Sequence, residues 1–529
     1  MTSGDLKLHT FVRRRNTVSV LMIIAFAFYN AVWIYISYIR YTSLNYSVYD
    51  LGLNYERLWQ VFNGSLVNMQ QFLNYFFTDF IVVILSPLYL TGRLYSLLAI
   101  QILAINVSAL IVYRLAVIFL NERWKAVCIA VAFLYYPPIA GITWFDFHYQ
   151  VFFMPFFLGG YLLYVKRHYM SSFILMIFSG TVYFPYSLFP LIFALTVIVY
   201  EYRGARTEKI FSKLIYGFSL LAASSMLLII GYLEVQGVRY YNFVTSQFGG
   251  STLSIHTPGN VLFTLFLIFA LVVFVPFISK RWLPFFIPFF ALIILSQNIY
   301  FIYPYLFHRQ YSGLFTPFIF LGIIDGLIVL SRYESVHKNG KKLKAAARWS
   351  SKHIATAILA VILVSALFLQ PYGPLNSVTS DNFNLGNEIS QSNLTQLNGL
   401  HSIVSLLPEN ASNILIQNNL PEVFPRSLYN GLILDAPLTN FVNFSMYSIV
   451  HDAFNASGNG QIEAFPIEYV LLDYSSNQFV VGSPSMHNMS ELMYGSGYYG
   501  VYAQSGSVVL LQRGYSGSPV IMVGVPFFK

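Results

Sequence analysis

The chain has 529 residues, a mean hydropathy of +0.60, 56% hydrophobic residues and only 10% charged ones. Soluble proteins carry roughly 25% charged residues, so this composition excludes an ordinary soluble enzyme, and apolar runs of about 20 residues point to membrane helices. A net charge of +9 would suit nucleic acid in a soluble chain, but here the basic residues cluster between apolar runs as topology signals with no nucleic-acid motif beside them, and the single cysteine, Cys128, excludes a disulfide framework.

Arg13-Arg14-Arg15 precede the first apolar run, Val18–Ile39. That run is too long for a signal-peptide core and lacks a small-residue cleavage site, so it reads as a retained span with the N-terminus inside. The polar loop Arg40–Gln71 then faces outside. It contains Tyr49-Asp50-Leu51-Gly52-Leu53-Asn54-Tyr55-Glu56-Arg57-Leu58-Trp59, two carboxylates among aromatic residues. Phe72–Leu90 is apolar but holds Asp79 and Pro87. If it crossed the bilayer, the later basic loops would fall outside, so it reads as an interfacial or re-entrant segment.

Further spans are expected at Leu94–Leu120, Ala126–Trp144, Val151–Val165, Ser171–Tyr183, Tyr186–Tyr200, Leu214–Tyr232, Val261–Ser279, Leu283–Tyr303, Leu314–Leu330 and Ile354–Leu369. With the first, this makes about eleven. Ser171–Tyr183 is short for a bilayer core of about 30 Å; with Pro185 behind it, the segment reads as a broken helix or a shallow hairpin. The basic loops at Arg123/Lys125, Lys166/Arg167, Arg203–Lys213, Lys280/Arg281 and Lys338–Lys352 then all lie inside. The tail, Gln370–Lys529, lies outside. Its acids outnumber its bases, and it carries glycosylation triplets at Asn393, Asn410, Asn443, Asn455 and Asn488, joined by Asn45 and Asn63 in the first loop.

The tail reads as a separate α/β domain, residues 371–529. Ile414-Leu415-Ile416, Tyr469–Asp473 and Val501-Tyr502-Ala503 are strand-like, Gly506 turns into Val508–Gln512 as a hairpin, and helical patterns cover Asn387–Leu407 and Ser490–Tyr494.

The polar groups expected at the outer boundary are Asp50, Glu56, Asp79, Asp146, His148, His308 and Arg309. Asp146 and His148, two apart in Phe145-Asp146-Phe147-His148, suit a general-base pair or metal ligands, although two residues make no metal site. Taken alone, each of these residues reads first as a solvated or salt-bridged loop residue; Asp50 reads as readily as functional, and Asp79 in its apolar segment reads as a snorkelling or helix-capping residue as readily as a ligand. Glu122 and Glu201 are expected to pair with Arg123 and Arg203, and Asp325 marks a polar helix–helix contact.

A set of short motifs runs through the chain in order: Tyr49–Leu53 with Trp59 and Gly64; Leu85-Ser86-Pro87-Leu88-Tyr89; Tyr135-Tyr136-Pro137-Pro138; Phe145–His148; Tyr311 with Pro317-Phe318. In the tail come Leu407–Ser412, Asn418–Pro421, Arg426, Tyr469–Asp473 and Leu510–Arg513. On these the chain resembles the prokaryotic membrane-protein family called domain of unknown function 2079, which looks like a branch of the GT-C glycosyltransferases. The sequence departs from that pattern at Phe77 and Glu422, where a histidine is usual, and at Val182–Tyr186, where a charged step is usual; Glu56 stands where the family usually has aspartate. The resemblance implies a GT-C-like membrane domain and a polyprenyl-phosphate-linked sugar as donor. It implies that Asp50, with Glu56, Asp146 and His148, carries catalysis. Arg57, Asp79, His308, Arg309 and Tyr311 would bind substrate, and a divalent cation is an open alternative for the role of Asp50. The competing readings are a non-catalytic membrane protein whose outer domain binds a partner or envelope polymer, and a transporter. Neither repeated halves nor midplane charges support the transporter.

Overall fold

The computed structural model describes residues 3–43, 46, 51–62, 80–91, 94–183, 186–203, 210–235, 258–295, 301–338, 350–376, 394–408, 414–417, 420, 432–434, 468–473, 494–495 and 497–523. The chain forms two compact units: Met1–Ile34, Leu66–Leu85 and Ala99–Ser380 in one, and Tyr35–Ser65, Ser86–Leu98 and Asp381–Lys529 in the other.

The first unit is helical. The chain begins with α1 (Ser3–Thr42), whose N-terminal part belongs here. Then come α4 (Tyr95–Leu120), α5 (Arg123–Tyr135) and α6 (Pro137–Trp144), the last two forming one span bent by 45°. The bend follows from Pro137-Pro138. A residue before proline is pushed to extended backbone, and Tyr136 adopts φ −61°, ψ 119°. Proline at the first turn then starts α6 without losing a hydrogen bond. Onward run α7 (Phe153–Val165), α8 (Tyr169–Gly180), α9 (Leu188–Arg203), α10 (Ile210–Val235), α11 (Pro258–Ala270), α12 (Leu283–Leu295), α13 (Tyr305–His308), α14 (Thr316–Lys338) and α15 (Ser351–Leu369).

Among the described residues, five helices are long and apolar enough to cross a membrane, and six if the bent pair counts as one span. The eleven runs of the sequence therefore divide. Val20–Thr42, Tyr95–Leu120, Phe211–Leu233, Thr316–Tyr333 and Ser351–Leu369 meet the requirement. The runs at 151–165, 171–183, 186–200, 261–279 and 283–303 form helices of 10–17 residues. At 1.5 Å per residue these reach about 15–26 Å, short of a bilayer core. The run at 261–279 stops being α-helical at Ala270, turns through Val273 and Phe274 at φ 53° each, and resumes as a 3₁₀ turn, Val275–Ile278. From the apolar 72–90 segment the described part is α3 (Phe80–Leu85), which belongs to the first unit, and the 3₁₀ turn Ser86–Thr91, which belongs to the second.

One polar contact ties the segment before α12 to α14, and another closes the start of α5. Trp282 Nε1 donates to Asp325 Oδ2 at 2.9 Å, which is the polar contact expected of Asp325. Glu122 pairs with Lys125 at 3.0 Å instead of with its neighbour Arg123, because residues three apart share a helix face and adjacent ones do not. The other expected pair, Glu201 with Arg203, lies outside the described side chains. Cys128 is buried and in no disulfide, a packing residue.

The second unit joins the early loop to the tail. There α2 (Leu53–Phe62) buries Leu58 and Tyr55, and the Tyr55 ring meets Tyr89 at a tilt of 45°, ring centroids 5.6 Å apart. Its sheet has the order β2-β1-β3-β5-β4-β6, with β1 (Ile414–Gln417), β2 (Leu432–Leu434), β3 (Tyr469–Asp473), β4 (Tyr499–Ser505), β5 (Val508–Arg513) and β6 (Val520–Val523). β1 is parallel to β2 and β3, β5 is antiparallel to β3 and β4, and β6 is parallel to β4. The five residues of β3 are all buried, which suits a strand covered on both faces. Gly506, at φ 58°, makes the β4–β5 turn. Helix α16 (Leu394–Ser405) lays Leu397, Leu400 and Ile403 on Ile414, Ile416, Leu471 and Leu510, and Tyr41 packs against the same core. The expected glycosylation triplets and Arg426 lie outside the described residues.

Candidate functional site

The first unit brings together two of the segments singled out in the sequence. After α6 the chain leaves the helix at Phe145 (φ −71°, ψ 166°) and runs through Asp146, Phe147 and His148 into a 3₁₀ turn, Tyr149–Phe152. The second segment is α13 with the turn Gln310–Leu314 that follows it.

Close backbone packing unites them. A Cβ on Gly141 would run into the carbonyl of Phe307 and lie 3.0 Å from the nitrogen of Arg309, so only glycine lets α6 seat against the 307–309 backbone. Ser312 Oγ donates to the Pro138 carbonyl, a second tie between the same elements. The Arg309 guanidinium then rests over the Phe145 ring, 4.8 Å from its centroid. On the same ring, the His148 imidazole lies at 5.4 Å with an interplanar angle of 30°. A cation–aromatic contact of this kind holds the guanidinium plane in a fixed direction.

Gln101 of α4 clamps the loop. Its Oε1 accepts the His148 backbone N–H at 3.1 Å, and its Nε2 donates to the Ile142 carbonyl at 2.8 Å. His148 Nδ1 lies 3.0 Å from the Asp146 carbonyl. An imidazole whose Nδ1 donates to a backbone carbonyl presents its Nε2 as the basic nitrogen. Asp146, His148 and His308 are 4%, 8% and 3% exposed, so these groups belong to the bundle interior and not to solvated loops.

The other candidates fall elsewhere. Tyr311 is half-buried and packs on Phe301, ring centroids 4.8 Å apart. Glu56 and Arg57 lie on α2 in the second unit; Arg57 is half-buried with Nη1 3.5 Å from Asn54 Oδ1, and the Glu56 side chain is outside the description. Asp50 and Asp79 lie outside the described residues. Among the described residues no group of three His, Cys, Asp or Glu side chains could hold a metal ion.

Sequence reasoning did not single out Gln101, Gly141 or Ser312. An amide in the otherwise apolar run Leu97–Ala104 was the available signal for Gln101, since a polar side chain in a span needs a partner. Nothing local marks Gly141, whose role depends on a segment more than 160 residues later in the chain.

The comparisons bear on the whole of this arrangement. A family model described as a predicted membrane protein matches residues 40–424, a stretch that contains every candidate residue from Asp50 to Tyr311. No curated protein matches the chain. With most of its length matched, and with several helices able to cross a membrane, the chain belongs to the DUF2079 family of predicted membrane proteins.

Proposed function

We propose that this chain is a membrane-embedded glycosyltransferase-like protein that moves a sugar from a polyprenyl-phosphate donor to an envelope acceptor on the outer face. The observation that carries the reading is the stack of Arg309 on Phe145 beside His148. The guanidinium and the His148 imidazole both lie against the Phe145 ring, and Asp146 stands two residues before His148 in the same segment. A guanidinium is a forked donor for a phosphate leaving group. In the transfer, the acceptor oxygen bonds to the anomeric carbon as the carbon–oxygen bond to the polyprenyl phosphate breaks. The bonding pair leaves on the phosphate, and the acceptor proton passes to a carboxylate. By resemblance that carboxylate is Asp50, with Glu56 further along the same loop sequence and Arg57, Asp79, His308 and Tyr311 on the substrate. A divalent cation held by Asp50 would add positive charge against the same phosphate.

The experiment uses membranes carrying the full chain and a radiolabelled polyprenyl-phosphate hexose, with transfer to envelope material as the readout. Asp50→Asn and Arg309→Gln should each lower transfer by about 10²-fold or more. Wild-type transfer by both variants would remove the proposal.

One observation favours a second reading. The burial of Asp146, His148 and His308 equally suits a scaffold that holds the helices of a non-catalytic protein whose outer domain binds a partner or envelope polymer. On that reading no donor is consumed by any form of the chain, and the same variants change only stability.

A further inference from the structure

Away from that site, the stretch Ser279-Lys280-Arg281-Trp282 joins two short apolar helices, α11 with its 3₁₀ extension and α12. Gly322 and Gly326 on α14 receive it. A Cβ on Gly322 would lie 2.9 Å from Pro276 Cβ, and one on Gly326 would lie 2.6 Å from the Val275 carbonyl oxygen. Two small residues four apart are a common means of bringing one backbone onto a membrane helix.

This seating places Arg281 among aromatic residues. Its guanidinium carbon is 5.4 Å from the Tyr161 ring centroid and 5.5 Å from that of Trp282. Tyr161 meets Trp282 edge-on at 5.1 Å. The guanidinium makes no hydrogen bond or ion pair among the described residues. Asp325, the nearby carboxylate, accepts the indole N–H of Trp282 at 2.9 Å and attracts Arg281 without closing an ion pair with it. The Tyr161 hydroxyl is buried and has no hydrogen-bond partner among the described residues, although Tyr161 is only 1% exposed. Buried hydroxyls are rarely left so, and an unfilled one beside an unfilled guanidinium calls for an acceptor. Lys280 is exposed next in sequence, and Arg332 is exposed two turns along α14 from Asp325, so the local charge is net positive.

We propose that Arg281, Tyr161 and Lys280 form a binding site for a phosphate group, supplied by the headgroup of an anionic membrane lipid. Arg281 offers a forked pair of donors to the phosphate oxygens, Tyr161 a hydroxyl donor, and Lys280 long-range attraction. Trp282 and Tyr161 hold the guanidinium in place, and Asp325 holds Trp282. The lipid is favoured over a soluble phosphate because the flanking helices are apolar on their outer faces, with Ile287 and Phe277 exposed, so the acyl chains have a surface to follow.

The test uses the full chain reconstituted in phosphatidylcholine vesicles containing about one-fifth phosphatidylglycerol, extracted in mild detergent and weighed by native mass spectrometry. Retained phosphatidylglycerol should exceed its share of the bilayer by about tenfold. Arg281→Gln should abolish the excess, Arg281→Lys should keep part of it, and Tyr161→Phe should lower it several-fold without changing the melting temperature in pure phosphatidylcholine. If Arg281→Gln does not fold, Tyr161→Phe and Lys280→Gln decide by the same readout. Competition by millimolar inorganic phosphate that removes the lipid excess would assign the site to a soluble phosphate and overturn the lipid. Equal retention by wild type and Tyr161→Phe, or no excess over phosphatidylcholine in the wild type, would overturn the site itself.

Discussion

The side chains of Asn30 and Asn106 exchange two hydrogen bonds between α1 and α4: Asn30 Nδ2 donates to Asn106 Oδ1 at 3.1 Å, and Asn106 Nδ2 donates back to Asn30 Oδ1 at 2.9 Å. Each amide also donates to the carbonyl four residues earlier, to Phe26 and Ile102 respectively, both at 2.8 Å. Each amide thus uses both of its N–H groups and its oxygen. In a bilayer, where water offers no alternative partner, a closed pair of this kind sets the rotation of one span against the other.

A double-mutant cycle on this pair should therefore give a measurable coupling. Asn30→Ala and Asn106→Ala should each destabilise the protein, and the double variant should cost less than their sum by about 0.6–2 kcal/mol, the range of interhelical hydrogen bonds in membranes. Thermal unfolding in lipid discs provides the measurement, and strict additivity would mean that the two amides do not act together.

Gln101 is expected to matter through the loop that it holds. Gln101→Leu leaves the His148 N–H and the Ile142 carbonyl buried without their side-chain partner, at a cost of about 1–3 kcal/mol each. The melting temperature should fall, and any transfer activity should fall further than stability alone explains, since the Asp146–His148 segment loses its anchor. Gln101→Glu keeps the acceptor for His148 but loses the donor to Ile142, so it should be intermediate.

Gly141→Ala tests the seat of Arg309. Its new methyl group would meet the backbone of Phe307, 2.6 Å from the carbonyl carbon, where no flexible side chain can yield. Overpacking of a rigid contact costs about 1–3 kcal/mol. The fluorescence of Trp144, four positions before His148, should change as the loop is displaced, whereas Gly495→Ala, with nothing within 4 Å, should leave stability within about 0.5 kcal/mol.

In the second unit, Ser505 is 1% exposed, and its hydroxyl finds no hydrogen-bond partner among the described residues while facing Gly399 of α16. Ser505→Ala should hold or raise stability, because it removes a buried hydroxyl that makes no bond. Gly399→Ala should destabilise strongly against Ser505, and the combination with Ser505→Ala should recover part of the loss. Denaturant midpoints of the four proteins are the check; a destabilised Ser505→Ala would show that the hydroxyl has an acceptor after all.

Much of this could be read along the chain. Strand β3 was legible at Tyr469–Asp473 because four apolar residues in a row, too few for a helix, suit a strand covered on both faces. The β4–β5 hairpin was legible because Gly506 sits between two β-rich runs. The short strands β2 and β6 were not, since three or four residues carry no period and depend on neighbours for their hydrogen bonds. Membrane helices such as Tyr95–Leu120 announce themselves by length and composition, whereas the break after Ala270 does not, because both sides of it are equally apolar. At the site, Asp146, His148 and Arg309 were legible as polar groups in apolar surroundings. Their supports Gln101, Gly141 and Ser312 were not, since each acts on a residue brought near only by folding.

By itself, then, the order of residues determined that this is a membrane protein with a sheet-bearing tail, and it marked where ionisable groups interrupt apolar helices, because hydropathy and period are local properties. Which helices are long enough to cross, which amide closes on which, and that the guanidinium of Arg309 comes to rest on Phe145 were decided only by tertiary structure. Those outcomes depend on backbone approach and ring packing between segments far apart in the chain, and no local pattern records them.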